Sequence, residues 1–339
     1  MNTSTNIGLL SPDNSSSSVP SVIDSTFGSE TPSDASSQED TPQDAAISWD
    51  TFIADQTNTN EAIKSRFVQE IKEILLRDSE ALKEYCIVAF LEPHDGIDQA
   101  DLDALFRALC NLNPEHDKDI LLILLSRGGS IEPAYQISKL CKLFAKKRFV
   151  VCVPRLAKSA ATLIALGADE IHMGILGQLG PIDPQLGNLP ALGVAQALQT
   201  IASLVEKYPK SAEMFASYLH RVIDVVQIGY CDRISESAIQ YAERLLSTKS
   251  NLPDKPSAIA KHLVQTYKDH SFVIDLEEAQ TWLGTDWVKT GTPEVQVAEE
   301  IYRLFDYINL LLGFFRQSTR LIVMADFDTG IRLFTPQSN

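Results

Sequence analysis

The chain has 339 residues, 44% of them hydrophobic, which suffices for one large domain with extensions or for two small domains. The net charge is −16, and no stripe of Lys and Arg alternates with aromatic residues, so we expect no nucleic-acid partner. The five cysteines lack the paired spacing of metal ligands and predict buried free thiols, and the chain has no P-loop and no dinucleotide fingerprint. We therefore expect neither a metal nor a cofactor.

Residues 1–46 are rich in Ser, Thr, Asp, Asn and Pro, and residues 1–45 hold seven acidic side chains and no Lys or Arg. Such a segment buries too little apolar surface to offset its ordering entropy, so we predict a disordered tail. The tail is either a solvated leader or a phosphorylated or protein-binding segment. It has neither the basic nor the apolar part of a secretory signal.

The most apolar run near the C-terminus, Ile308 to Phe315, has eight residues, which is too short to span a bilayer. Together with the N-terminal composition, this run predicts a cytoplasmic protein without a transmembrane segment.

The first regular pattern covers residues 60–82, where apolar residues recur at helical spacing among charged ones. We predict an amphipathic helix here and assign residues 47–84 to a helical extension. The apolar stripe consists of Ile63, Phe67, Ile71, Ile74 and Leu75.

Residues 85–173 alternate between apolar runs and helical patterns. Strands are predicted at 85–91, 119–125, 149–153 and 170–173, and helices at 98–110, from 130 to about 146 and at 159–167. The run 119–125 is almost wholly apolar, which is typical of a strand covered on both faces. The alternation predicts an α/β core with a mostly parallel sheet.

Beyond this core the chain is predominantly helical. Helices are predicted within 190–250 and at 252–268, a short extended piece leads into a helix at 271–284, and a long amphipathic helix covers 293–318. A ragged tail follows. We assign residues 291–339 to a C-terminal helical extension.

Two turns that allow close backbone approach follow two successive predicted strands. Gly128 and Gly129 permit a backbone N–H to point at a ligand. In the second turn Ser159 starts a helix of small residues, where unpaired N–H groups and the positive helix end lie. Ser159 is therefore a candidate nucleophile, with an oxyanion hole formed by the Ala160 N–H and an N–H of Gly128 or Gly129.

Three strings in the sequence carry a family resemblance. They are Ser126-Arg-Gly-Gly-Ser-Ile-Glu-Pro-Ala134, Val153-Pro-Arg-Leu-Ala-Lys-Ser-Ala-Ala-Thr-Leu-Ile-Ala-Leu-Gly-Ala-Asp-Glu-Ile171 and Leu179-Gly-Pro-Ile-Asp-Pro-Gln185. In this order and spacing they resemble the serine dehydrogenase proteinase family, which is similar to the Clp proteolytic subunit and belongs with the crotonase fold. The resemblance covers about residues 85–290. It implies a Clp/crotonase-like serine peptidase domain over that range, peptide or protein substrates, and a homo-oligomer.

The resemblance also implies roles for three side chains. In the Clp subunit a histidine follows the serine and an aspartate comes later, whereas here the position 24 residues after Ser159 is Asp183. A histidine, His270, lies in a segment that resembles the stretch around the Clp aspartate. The implied order is Ser159 as nucleophile, Asp183 as the group that orients the imidazole, and His270 as general base.

Each of these residues also has a structural alternative. Ser159 could be a plain helix N-cap, Asp183 could close a turn between two prolines, and His270 could be a surface histidine. The other histidines are weaker candidates for the base (His220 and His262) or are expected in solvent or packing positions (His94, His116 and His172).

A serine–lysine dyad is a second possible arrangement, since related signal-peptide-peptidase-like enzymes use one. Lys158 precedes the serine, so its side chain is expected to diverge from it, although an approach to the site would let it stabilise the oxyanion. Lys207 and Lys210 lie in a predicted helix that could return to the site. Lysine must be desolvated to act as a base near neutral pH, so the dyad ranks below the triad.

The sequence thus predicts a serine peptidase that forms an acyl-enzyme on Ser159. One alternative is a non-catalytic Clp-like oligomeric scaffold whose amphipathic helices near 60–82 and 293–318 bind partner proteins. A third hypothesis is acyl-CoA chemistry of the crotonase kind, which has no need of a serine after the second turn.

Overall fold

The computed structural model of the protein describes residues 47–186, 189–222 and 225–335. The predicted disordered tail, residues 1–46, lies outside the described residues. From Ile47 onward the chain forms one compact unit.

The described residues contain twelve α-helices and eleven strands, with one 3₁₀ turn at Pro209–Ser211. The helices are α1 (Trp49–Ala54), α2 (Asn60–Arg77), α3 (Ser79–Leu82), α4 (Gln99–Leu112), α5 (Ile131–Phe144), α6 (Ala160–Leu166), α7 (Ala191–Lys207), α8 (Ala212–Val222), α9 (Val225–Leu246), α10 (Pro256–Gln265), α11 (Leu276–Leu283) and α12 (Pro293–Phe315). The strands are β1 (Tyr85–Glu92), β2 (Asp119–Ser126), β3 (Phe149–Val153), β4 (Leu156–Ala157), β5 (Glu170–Met173), β6 (Gln178–Leu179), β7 (Gln185–Leu186), β8 (Leu189–Pro190), β9 (Val288–Lys289), β10 (Arg320–Ala325) and β11 (Ile331–Phe334).

Nine strands form one mixed sheet in the order β11-β10-β1-β2-β3-β5-β9, with β4 beside β2 and β6 beside β4. The pairs that connect β1, β2, β3, β5 and β9 are parallel, as are β2–β4 and β4–β6. Strand β10 pairs antiparallel with β1, and β11 pairs antiparallel with β10. The predicted α/β class with a mostly parallel sheet is confirmed.

Both faces of the central strands are buried. Successive side chains of β2 point to opposite faces, so this strand contributes to a hydrophobic core on each side of the sheet. Ile120, Leu122 and Leu124 join a core that the helices α4, α5, α6, α9, α10 and α11 cover. Leu121, Ile123 and Leu125 join a second core beneath α1, α2, α3 and α12. This double burial explains why the strand reads as a continuous apolar run.

The helix boundaries follow from capping side chains. Thr59 Oγ1 accepts a hydrogen bond from the Ala62 N–H at the start of α2. Asp98, the predicted N-cap of α4, forms a capping box with Asp101. The predicted helix at 60–82 is divided at Asp78 into α2 and α3.

The C-terminal segment contains the predicted long helix, α12, but strands take the place of the ragged tail that was predicted after it. After α12 the chain forms β10 and β11, which extend the sheet beyond β1. Leu321, Val323 and Ile331 are buried in the second core. The alternation of buried and partly exposed positions in Arg320–Ala325 is a strand pattern that the sequence analysis left unassigned.

The prediction of buried free thiols holds for four of the five cysteines. All five cysteines are free, and Cys86, Cys141, Cys152 and Cys231 are buried. No helix in the described ranges combines the length and the apolarity that a membrane crossing requires.

The amino ends of the parallel strands carry a network of charged side chains. Arg148 donates from Nε to Asp119 Oδ2 over 3.1 Å and from a terminal nitrogen to the Tyr85 hydroxyl over 3.1 Å. The Tyr85 hydroxyl in turn donates to Glu294 over 3.0 Å. This network ties the beginnings of β1 and β2 to α12.

A buried imidazole, that of His172, is linked to this network through Glu294. His172 Nε2 is 2.9 Å from Glu170 Oε2, and Nδ1 is 2.8 Å from Thr292 Oγ1 and 3.5 Å from Glu294 Oε2. Burial lowers the pKa of His172, but the hydrogen bonds and charges of Glu170 and Glu294 outweigh burial and raise it above its usual value. The hydrogen bond from His172 is the largest contribution that lowers the pKa of each carboxylate to about 2. His172 was expected to be a solvent or packing residue. It is instead a buried ion-pairing residue that connects Glu170 with Glu294.

These shifts predict how stability depends on pH. The raised pKa of His172 stabilises the fold fully below about pH 6.5, and this contribution declines as pH rises through the folded-state pKa. In His172→Gln we expect this decline to disappear, together with a loss of about 3 kcal/mol in the free energy of unfolding at pH 6. Urea titrations between pH 5.5 and 8.5 measure both effects.

His220→Gln is the matched control, because His220 lies exposed on α8. It should unfold like the wild type at every pH. An unchanged pH slope in His172→Gln would contradict the ionic role of this side chain.

Candidate active site

The candidate site lies at the carboxyl edge of the parallel strands. Strand β2 ends at the buried Ser126, and the Gly128–Gly129 turn follows directly. Strand β4 pairs with the end of β2 through Ala157 and Ser126, so the turn before α6 comes to the same place. The sheet thus places the Gly128–Gly129 turn next to the turn that contains Ser159. These are the two turns identified from the sequence.

Ser159 has an unusual backbone conformation. Its φ is 52° and its ψ is −121°, values that a residue with a side chain seldom adopts. It occupies the N-cap position of α6, yet its side chain makes no capping hydrogen bond. Backbone strain of this kind clusters at functional sites, and a serine at a sharp turn from strand to helix is therefore a candidate nucleophile.

Gly128 faces Ser159 so closely that no other residue fits. A Cβ at Gly128 would lie 2.7 Å from Ser159 Cβ and 3.0 Å from the Lys158 carbonyl oxygen, and Gly128 has a φ of 116°. The Gly128 N–H donates to Ser126 Oγ over 3.1 Å. Gly128 therefore provides space beside the serine, while its N–H is used within its own turn.

Gly129 is held by a different contact. Ile97 donates its N–H to the Gly128 carbonyl over 2.8 Å and accepts from the Ser130 N–H over 2.8 Å, so the loop before α4 brackets Gly129. A Cβ at Gly129 would lie 2.1 Å from the Ile97 nitrogen. Within the described part of the chain, the N–H groups of Gly129 and Ala160 have no hydrogen-bond acceptor.

Asp183 and His270 form a hydrogen-bonded pair across 87 residues. His270 Nδ1 lies 2.7 Å from Asp183 Oδ1, and Asp183 Oδ2 accepts from Gln185 Nε2 over 2.8 Å. The Asp183 side chain is 7% exposed and that of His270 is 30% exposed. A buried carboxylate that holds one ring nitrogen fixes the orientation of the imidazole and leaves Nε2 available.

Ser159 and His270 line one cavity of about 520 Å³. Its wall contains both polar and apolar side chains. The lining residues are Arg127, Gly129, Ser130, Ile131, Glu132, Ser159, Ala160, Ile182, Pro184, Gln185, Tyr230, Ile234, Ser237 and His270. No hydrogen bond of 3.5 Å or less joins Ser159 Oγ to His270, both of which are described.

The three lysines of the alternative dyad are engaged elsewhere or lie apart from this cavity. Lys158 Nζ donates to the Phe272 carbonyl over 2.8 Å. Lys207 lies above the Tyr208 ring, 5.5 Å from its centroid, and Lys210 belongs to the exposed 3₁₀ turn. None of the three lines the cavity of Ser159.

The remaining histidines have packing or surface environments. His262 stacks on Trp282 with ring centroids 3.5 Å apart, and its Nε2 lies 3.1 Å from the Tyr267 hydroxyl. His116 stacks on Phe144 at 4.3 Å. His94 and His220 are exposed. None of these four lines the cavity of Ser159.

Sequence reasoning missed two buried residues that shape the site. Thr162 Oγ1 donates to the Ala157 carbonyl over 2.7 Å and accepts from the Gly180 N–H over 3.0 Å, which ties the serine turn to the segment of Asp183. Ser126 holds the Gly128 N–H. Both lie inside the strings that carry the family resemblance, and their polarity within apolar surroundings was the available signal.

The described ranges contain no group of three or more His, Cys, Asp or Glu side chains arranged to bind a metal ion.

The fit of Gly128 against Ser159 yields a second prediction. Gly128→Ala places a methyl group against Ser159 Cβ at a positive φ, so we expect a loss of about 2–4 kcal/mol in the free energy of unfolding. Gly313→Ala is the control, because a Cβ at this position in α12 meets nothing within 4 Å. It should be neutral or stabilising by up to about 1 kcal/mol. Urea titration compares the two, and equal stabilities would contradict the close approach.

The family model described as ClpP-like SDH-type serine proteinase matches residues 94–312. An uncharacterized protein of Methanocaldococcus jannaschii is 33% identical over 190 residues, which cover 56% of this chain and 58% of that protein. A second uncharacterized protein of the same organism is 30% identical over 210 residues, covering 61% and 62%. The match spans about three-fifths of the length of these relatives.

Solved structures show more distant likenesses. A variant of the 1510-N membrane-bound stomatin-specific protease is 16% identical, with a TM-score of 0.38 over 66% of this chain and 84% of that chain. Another variant of that protease, in complex with a substrate peptide, is 16% identical, with a TM-score of 0.40 over 74% and 85%. ClpP1 from Listeria monocytogenes is 15% identical, with a TM-score of 0.38 over 65% and 99%. Since the family model covers more than half of the chain, the protein belongs to the ClpP-like SDH-type serine proteinases.

Proposed function

We propose that this protein is a serine peptidase that cleaves peptide bonds through an acyl-enzyme on Ser159. The observation that carries the proposal is the cavity that Ser159 shares with His270, whose imidazole is oriented by the buried Asp183. A plain helix cap and a surface histidine would have no reason to line one cavity, and a carboxylate that only closed a turn would have no reason to hold that histidine. Membership in a serine proteinase family supports the same reaction class.

The proposed proton path starts from the Asp183–His270 pair. An ionised carboxylate only accepts hydrogen bonds, so the proton between the pair belongs to His270 Nδ1, and Nε2 is left as the acceptor. In the acylation step Nε2 takes the hydroxyl proton as Ser159 Oγ bonds to the substrate carbonyl carbon. The imidazolium then gives this proton to the leaving amine as the peptide bond breaks. Water, activated by the same nitrogen, releases the acid and restores the hydroxyl.

The oxyanion of both steps is assigned to the N–H groups of Gly129 and Ala160. Both residues line the cavity, and neither N–H donates to an acceptor in the described part of the chain. The Gly128 N–H is used by Ser126, so we propose that Gly128 acts through its small size. Removing one such donor typically costs about 3 kcal/mol of transition-state stabilisation.

Ser159 Oγ and His270 are not joined by a hydrogen bond of 3.5 Å or less in the described structure. Catalytic hydrogen bonds are commonly long in free enzymes and tighten when substrate binds. We propose that a peptide in the cavity brings Ser159 Oγ and His270 Nε2 together.

The triad is favoured over the dyad because Lys158 Nζ bonds to a backbone carbonyl, whereas His270 lines the cavity of Ser159. The scaffold hypothesis loses support for the same reason. Homo-oligomeric assembly, a cytoplasmic location and the absence of a cofactor remain proposals that rest on the sequence and the family.

Labelling with a fluorophosphonate probe tests the proposal, because only an activated serine reacts quickly. We expect wild-type labelling on Ser159, no labelling in Ser159→Ala, and a labelling rate reduced by about 10³-fold or more in His270→Gln and Asp183→Asn. His220→Gln, an exposed histidine on α8, should label like the wild type. Mass spectrometry of the digested adduct identifies the modified residue.

Two outcomes would count against the proposal. Normal labelling of His270→Gln would remove the imidazole from the mechanism and favour a lysine base. A folded wild type that takes up no label would favour the scaffold. Incubation with a mixed peptide library, with products mapped by mass spectrometry, then tests peptide-bond cleavage and its dependence on Ser159.

A further inference from the structure

The side chain before the nucleophile reaches the loop that carries the histidine. Lys158 Nζ donates to the Phe272 carbonyl over 2.8 Å, and Phe272 lies two residues after His270. The backbone N–H of Lys158 donates to the Ser126 carbonyl over 3.0 Å, which anchors the residue to the end of β2. One residue thus links the sheet edge, the serine turn and the histidine loop.

The path of this side chain crosses the segment that carries Asp183. A Cβ at Gly180 would lie 2.5 Å from Lys158 Cδ and 3.4 Å from Lys158 Cα and Cβ. Because Gly180 has no side chain, a groove remains through which the aliphatic part of the Lys158 side chain passes. The Gly180 N–H is itself held by Thr162 in α6, so the groove does not depend on the lysine for its position.

The histidine loop connects α10 to α11 and has few other attachments. Leu179 and Ile274 exchange backbone hydrogen bonds of 2.9 and 3.1 Å, which fix the far end of the loop. Phe272 and Val273 are 42% and 48% exposed, and the Phe272 ring contacts that of Tyr267 in the same loop, with centroids 4.6 Å apart. The ammonium group of Lys158 bonds the loop between its fixed end and His270.

The position of Lys158 separates it from the chemistry. Its side chain does not line the cavity of Ser159, and its nitrogen points at a carbonyl rather than at the serine hydroxyl. Burial lowers the pKa of Lys158, and the nearby Arg127 guanidinium adds to this, while Asp269 opposes it.

We propose that Lys158 is a positioning residue that fastens the His270 loop to the nucleophile turn through the Phe272 carbonyl. This inference rests on the proposed function, because the position of the His270 imidazole affects the rate only if His270 is the general base. Displacements of about 1 Å in a reacting group can cost about 100-fold in rate.

Lys158→Met tests the link, because methionine keeps the apolar stem and removes the donor. With the fluorophosphonate probe we expect the maximal labelling rate to fall about 10- to 100-fold, while the concentration for half-maximal rate stays unchanged. Lys158→Arg should restore most of the rate, since a guanidinium also donates to a carbonyl. Lys261→Met, an exposed lysine on α10, is the matched control.

The labelling results separate positioning from base catalysis. A wild-type rate in Lys158→Met would overturn the inference. A rate abolished in Lys158→Met and not restored by Lys158→Arg would also overturn it, because arginine cannot give up its proton and a lysine base would be implied.

Hydrogen exchange tests the link without relying on activity. In the folded Lys158→Met variant, backbone amides of residues 268–274 should exchange at least about 10-fold faster than in the wild type, with no change in Lys261→Met. Unchanged exchange in this loop would overturn the inference even if labelling fell. If the loop exchanges faster in Lys158→Met but the wild type takes up no fluorophosphonate, the structural link is retained and the proposed peptidase function is rejected.

Discussion

The close approach of Gly128 to Ser159 is the constraint on which the site depends. Without a side chain at Gly128, the turn after β2 lies against the turn before α6, and the space that a Cβ would need is 2.7 Å from the serine Cβ. This contact fixes where the Gly129 N–H lies relative to Ser159. The positive φ of Ser159 belongs to the same arrangement, because it turns the serine out of the helix that follows. Strain of this kind persists only where the surrounding structure over-determines it, here through buried β2, β4 and α6.

The carboxylate–histidine pairs at the two edges of the parallel sheet are arranged differently. At the amino edge, His172 lies between the partly buried Glu170 and Glu294, and Lys289 pairs with Glu170, so the carboxylates there have partners that serve stability. At the carboxyl edge, Asp183 has one imidazole partner, and that imidazole faces a cavity. A carboxylate paired with a half-exposed histidine leaves a ring nitrogen for proton transfer, whereas His172 has both ring nitrogens engaged. A histidine paired with a carboxylate thus stabilises the fold at one edge of the sheet and is a candidate general base at the other.

The sequence predicted what local pattern determines and missed what distant neighbours determine. The strand at 119–125 and the helix after Ser159 follow from apolar runs and small residues, and the structure has both. The pairing of Asp183 with His270 came from the family resemblance, because no periodicity relates residues 87 positions apart. The roles of Lys158 and His172 depend on partners more than 100 residues away, Phe272 and Thr292, so no window of sequence contains them. Strand β10 carries a strand pattern that was left unassigned, and its pairing with β1 joins residues too far apart for any local window to show.

The central claim is that Ser159, His270 and two backbone N–H groups meet around one reacting carbon. A crystal structure of the fluorophosphonate adduct tests it most directly. The account predicts phosphorus bonded to Ser159 Oγ, a phosphoryl oxygen about 2.7–3.1 Å from the nitrogens of both Gly129 and Ala160, and His270 Nε2 within hydrogen-bond reach of the adduct. An adduct on another residue, or a phosphoryl oxygen directed away from both N–H groups, would contradict it.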